Sequence, residues 1–233
     1  MENYKVLQNE YYKIYFPNKY DKDIKEILEY STNRLIANLK FFGKISYGQV
    51  IKVSFFDRKE NFFARIHELD KNATPPDWAK GCFYGGENQI LFEENNVKAR
   101  FYTVSHETCH LLFSKFIYND YKDRVVWLDE SFAANFSGEV EKELKNGVFI
   151  EKVKKYLNYN SLPNMNKISF KNNNVRTNEY NAYDFFYIIG RYLFEIYSSE
   201  ELLGFYKDEK RVFRLGENIL SESILYFKQK YSL

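Results

Sequence analysis

Apolar positions in this chain follow two different spacings in turn. "EYYKIYFP" (Glu10 to Pro17) alternates and is rich in Tyr, which predicts a strand closed by Pro17. From Asp21 to Gly43 the apolar residues Ile24, Ile27, Leu28, Leu35 and Leu39 recur at helical spacing. Asp21 serves as the cap of that helix and Gly43 as its stop. Gln49 to Phe56 is a β-prone run, and Lys59 to Leu69 has the pattern of a short helix. Asn72 to Trp78 reads as a loop, and Asn88 to Glu93 as another strand entered through "GCFYGGE".

From about Val97 the pattern is helical to the end. One helix holds "VSHETCHLLF" (Val104 to Phe113), and a second covers Trp127 to Lys145. An Asn-rich loop runs from Leu157 to Asn174; a helix over Ala182 to Tyr197 and two shorter ones follow. Strands first and helices afterwards predict an α+β protein. No internal repeat and no Pro, Gly or Ser-rich linker divides the chain, so a single domain over residues 1–233 is expected.

Composition narrows the function classes. In 233 residues, 45% hydrophobic and 19% aromatic content is enough for a sizeable core. The charges nearly cancel, 34 basic against 32 acidic, so no nucleic-acid footprint is expected. The basic run Lys152 to Tyr156 reads as a solvated helix face. No apolar segment has the length to cross a bilayer, and the N-terminal residues lack the basic start and apolar run of a signal peptide, so no membrane partner is expected. Cys82 and Cys109 are expected as independent thiols, which suits a reducing compartment and a cytoplasmic location.

The candidate chemistry lies in the first of the helices after Val97. The chain has three histidines, and two of them, His106 and His110, stand at i and i+4. On a helix that spacing puts both imidazoles on one face, one turn apart, where they can hold one zinc ion. Glu107, beside the first, completes the pattern H-E-x-x-H, which supplies two ligands and a general base. His67, the third histidine, reads as an ordinary surface or core residue. The better third ligand is Glu130 in "WLDESFA", near the start of the next helix. A loop joining an antiparallel helix pair can carry that start back toward the histidines. Trp127, Leu128, Phe132 and Ala133 around it predict partial burial, and a buried carboxylate requires a partner.

"HETCH" followed by "WLDESFA" resembles the gluzincins, zinc peptidases whose third ligand is a Glu on the following helix. Within them it is most similar to the aminopeptidase N type and to small thermolysin-like peptidases with the same core. The usual glycine after the Glu is Ser131 here, and the spacing from His110 is one residue longer. The resemblance implies a thermolysin-like (zincin) domain. Residues 1–96 would form a lobe with a mixed β-sheet and helices, and residues 97–233 a mainly helical lobe carrying the zinc. It also implies an oxyanion-stabilising tyrosine at a helix start, where Tyr183 stands, with Tyr180 and Tyr187 as competitors. "YGGENQILF" resembles the substrate-pairing strand of the family. Glu87 and Asn88 fall where aminopeptidases hold the substrate's free amine, although Tyr84 and Gly86 depart from that pattern.

The implied activity is zinc-dependent peptide hydrolysis, with one Zn2+ per chain held by His106, His110 and Glu130. Glu107 would act as general base on the attacking water, Tyr183 would donate to the oxyanion, and a peptide or protein would be the substrate. The alternative is a catalytically silent zinc-binding protein that uses the cleft to hold a peptide or protein partner.

Overall fold

The structure, a computed structural model, describes residues 4–73, 75, 77–84, 87–91, 97–118, 124–159, 161–172 and 174–233. The chain divides into two compact units, Met1–Leu112 and Phe113–Leu233. The division falls inside one helix, α3 (Thr103–Phe116).

The first unit is a five-stranded mixed sheet with helices. Its strands are β1 (Tyr4–Gln8), β2 (Tyr12–Pro17), β3 (Ile51–Phe56), β4 (Gly81–Tyr84) and β5 (Glu87–Leu91), in the order β1-β2-β3-β5-β4. β2, β3 and β5 run parallel, while β1 and β4 pair antiparallel to their neighbours at the two edges. Parallel neighbours need crossover connections, and helices α1 (Asp21–Phe41) and α2 (Lys59–Leu69) supply them. β2 buries Tyr12, Ile14 and Phe16 at alternate positions, as a strand with one covered face requires. β3, in the middle, is buried on nearly every residue. α2 sets Phe62 and Ile66 against Phe56 of β3. α1 buries Ile24, Ile27, Leu35 and Leu39 as its spacing implies.

Two strands change the picture drawn from the sequence. β1 and β4 lie in stretches where the apolar pattern marks no strand. Moreover, β5, expected to pair with substrate, is bonded on both sides: Glu87 aligns with Lys52 of β3 and with Tyr84 of β4. At this end of the sheet, among the described residues, the open edge belongs to β4. Phe92 and Glu93, assigned to the same strand from the sequence, lie outside the described residues, as do Gly85 and Gly86.

The second unit is helical: α4 (Val126–Phe136), α5 (Glu139–Lys145), α6 (Val148–Leu157), α7 (Ala182–Ile196), α8 (Ser199–Tyr206), α9 (Glu209–Gly216) and α10 (Ile219–Tyr231). α7 is central and packs against α4, α6 and α10. The single helix expected over Trp127 to Lys145 is two, because Gly138 takes φ 90° and ends α4. Three helices, not two, close the chain after α7. Lys154 and Lys155 are exposed, as a solvated face requires, but Lys152 is not: it pairs with Glu143 and, at 3.2 Å, with Asp184. Asp184 also accepts a hydrogen bond from Tyr156 Oη at 2.9 Å. The basic run thus fastens α6 to the start of α7. No helix among the described residues is long and apolar enough to cross a membrane.

Candidate metal centre

α3 presents different chemistry on its different sides. Ser105, Thr108 and Cys109 face the first unit's interior. There Tyr12 Oη donates to Thr108 Oγ1 at 3.1 Å, Ser105 Oγ bonds Ser31 Oγ at 3.4 Å, and Asn38 Nδ2 donates to Cys109 Sγ at 3.4 Å. Thr108 passes its own proton to the Val104 carbonyl at 2.7 Å, so the hydroxyl both donates and accepts. Burial raises the Tyr12 phenol pKa, which keeps that donor protonated. Neither cysteine is in a disulfide; Cys109 is buried within this contact and Cys82 is half-buried on β4. The polar ladder fixes the rotation of α3 about its axis. His106 and His110 consequently share another side, with ring centroids 4.9 Å apart and the planes at 76°.

Glu107 lies a further step round the helix and is 7% exposed. Its carboxylate rests against Gly81, the first residue of β4: a Cβ at Gly81 would fall 2.6 Å from Glu107 Oε1.

α4 is buried from Trp127 through Ala134 without interruption, its two carboxylates included. Asp129, fully buried, is met by Arg124 Nη1 at 3.0 Å. At the helix start, the Val125 N–H donates to Tyr118 Oη at 3.2 Å. Burial and the nearby Asp129 charge together hold that phenol above its ordinary pKa. Glu130 is 4% exposed. Gly190 of α7 admits the α4 backbone closely, since a Cβ there would lie 2.5 Å from the Ser131 carbonyl oxygen.

His106, His110 and Glu130 each offer one ligand atom, and these atoms all lie within 4.8 Å of one another. A centre serving three atoms no farther apart than 4.8 Å lies within 4.8/√3, about 2.8 Å, of each, against about 2.0–2.2 Å for zinc to nitrogen or oxygen. Inward side-chain movements of under about 1 Å close that difference. Two imidazole nitrogens and one carboxylate oxygen are also a donor set that zinc accepts, and three protein ligands leave a fourth position open. The residues fit the ion.

The other sequence candidates fall as follows. His67 is exposed in the last turn of α2. Tyr183 stands at the second position of α7, after the Asn181 cap whose side chain accepts from its N–H. The Arg176 guanidinium sits over its ring at 5.4 Å. Tyr187 is committed elsewhere, donating to Glu139 at 3.0 Å, and its pKa is raised well above normal by burial and by the charges of Glu139 and Glu143. Tyr180 packs its ring against Phe185. Glu87 and Asn88 are on β5 as backbone, and their side chains lie outside the described residues. Nothing in the sequence pattern singles out Gly81 or Tyr12. Arg124 leaves a signal there, as a cation five residues ahead of Asp129 in an otherwise apolar stretch.

No protein-family model matches this chain, and no curated protein sequence matches it.

Proposed function

We propose that the protein is a zinc-dependent peptidase of gluzincin type with a thermolysin-like fold. The observation that carries this is the convergence of His106, His110 and Glu130 to within 4.8 Å, with Glu107 buried beside the two histidines. The mixed sheet ahead of a helical half is the arrangement that the resemblance implies, which supports the fold assignment.

His106, His110 and Glu130 would hold the ion. Zinc bound there would supply Lewis acidity toward a peptide carbonyl and toward water. Glu107 takes the proton of the attacking water and hands it to the leaving amine. Its burial beside β4 keeps bulk water from competing for that proton. Tyr183 donates to the oxyanion that forms at the carbonyl. The open edge of β4 offers backbone N–H and C=O groups to an extended peptide, a role that passes from β5 to β4 because β5 is bonded on both sides. Glu87, with Asn88 beside it, remains the candidate for holding a free amine. Thiols at Cys82 and Cys109 outside any disulfide suit a reducing compartment, and we place the protein in the cytoplasm.

The test is a mixed peptide library incubated with the zinc-loaded chain, with and without chelator, and read by mass spectrometry. Chelator-sensitive cleavage that disappears in Glu107→Gln, with zinc retained, is expected. Zinc retained by the wild type with no cleavage of any peptide would leave the silent zinc-binding alternative instead.

A further inference from the structure

Gly81 opens β4, and its backbone is not in the positive-φ region that demands glycine. Conformation therefore does not explain the missing side chain, but space does. A Cβ at this position would stand 2.6 Å from Glu107 Oε1, 2.6 Å from Thr103 Cγ2 and 3.4 Å from Glu107 Cδ. These three are the nearest atoms; neither histidine is among them. Thr103 and Glu107 are one turn apart on α3, so their side chains form one wall facing the start of β4. Thr103 is β-branched and stiff at χ1, whereas Glu107 has three rotatable bonds. Any side chain at residue 81 would therefore displace the Glu107 carboxylate first.

We propose that Gly81 is a positioning residue: the volume it leaves empty is the slot that holds the Glu107 carboxylate at the candidate centre. Its consequence for hydrolysis rests on the proposed role of Glu107 as general base. The slot itself does not rest on that role.

Two measurements test it. The first is a thermal-unfolding cycle. Gly81→Ala is expected to lower Tm by about 2–12 °C in the wild-type background, because an overpacked site must shift. In a Thr103→Ala, Glu107→Ala background the slot is empty, and the same substitution is expected to leave Tm within error. Equal losses in the two backgrounds would overturn the proposal, since the glycine would then serve something other than the slot. The second is kinetic. Gly81→Ala is expected to lose about 100-fold in kcat from misplacement of the base, with zinc content and KM unchanged. In Glu107→Asp, whose shorter side chain no longer fills the slot, Gly81→Ala is expected to change kcat by less than about twofold. Undiminished kcat in Gly81→Ala, in a chain that Glu107→Gln inactivates, also overturns the proposal. Failure of the wild-type zinc-loaded chain to cut any peptide sinks the peptidase assignment alone, and the Tm cycle still decides the slot.

Discussion

Gly190→Ala should destabilise the protein, against the direction of helix propensity. In an unobstructed helix interior, replacing Gly by Ala stabilises by about 1 kcal/mol. At Gly190 the new methyl would meet Asn135 Nδ2 at 2.0 Å and the Ser131 carbonyl oxygen at 2.5 Å. Asn135 can swing aside, but it then gives up its 2.9 Å hydrogen bond to that same carbonyl, worth about 0.5–1.5 kcal/mol. The carbonyl is backbone of α4 and has no rotamer to change. It must retreat from 2.5 Å to at least 3.0 Å, a shift of 0.5 Å or more in the helix. Overpacking of this kind costs about 1–3 kcal/mol. With the lost hydrogen bond added and the propensity gain subtracted, the balance is a loss of about 0.5–3.5 kcal/mol, or a Tm lower by about 1–14 °C. Glu130 immediately precedes Ser131, so zinc affinity should fall as well. Gly204 in α8 is the internal control: a Cβ added there would meet nothing within 4 Å, and its φ is not positive. Gly204→Ala should therefore stabilise by up to about 1 kcal/mol. Urea unfolding of the two variants followed by far-UV circular dichroism provides the readout. A Gly190→Ala protein as stable as wild type, or more so, would refute the claim that α4 and α7 meet at backbone contact here.

Glu130→Ala should weaken zinc binding by at least the ~10–100-fold that follows loss of an outer-shell partner, measured by competition with a chromogenic chelator; unchanged affinity removes Glu130 from the ligands. Tyr12→Phe should cost about 1 kcal/mol by urea unfolding, because the Thr108 hydroxyl loses its buried donor. An unchanged midpoint would mean that the ladder behind α3 contributes nothing to its anchoring. Glu195 supplies a pH test. Burial pushes its carboxyl pKa up, but hydrogen bonds from Lys230, Tyr226 and Arg191 outweigh this and hold it below the ordinary value. A depressed carboxyl stabilises the fold above the unfolded-state pKa of about 4.3, and that contribution is lost as pH falls through the folded value. Glu195→Gln should accordingly lower Tm at pH 7, with the gap to wild type closing below about pH 4. A gap independent of pH contradicts the assignment.

Legibility in the sequence follows the range of the interactions. α1, α2 and α7 are readable because the 3.6-residue period and the end signals are local, and α2 occupies Lys59–Leu69 as the period implies. β1 is not readable because it lies at a sheet edge with most of its side chains exposed, so no apolar alternation marks it. β4 is four residues long and opens on glycine, which reads as a turn until its partner strand is known. The break between α4 and α5 depends on one glycine with positive φ amid a pattern that otherwise continues. At the site, the two histidines are legible from spacing alone. Glu130 requires a tertiary approach that loop length permits without specifying. The contact of Gly81 with Glu107 joins residues from a strand and a helix with no shared period, and only the folded chain displays it. The free edge at β4 is hidden for the same reason, since sheet order is set by which strands pair.

One zinc ion held by His106, His110 and Glu130 should register as metal content. Purified wild-type chain dialysed against metal-free buffer should retain close to one zinc per chain by plasma mass spectrometry, and His110→Ala prepared identically should retain almost none. Wild-type chain that emerges without metal after zinc loading, or a His110→Ala variant that keeps as much as wild type, would contradict the account.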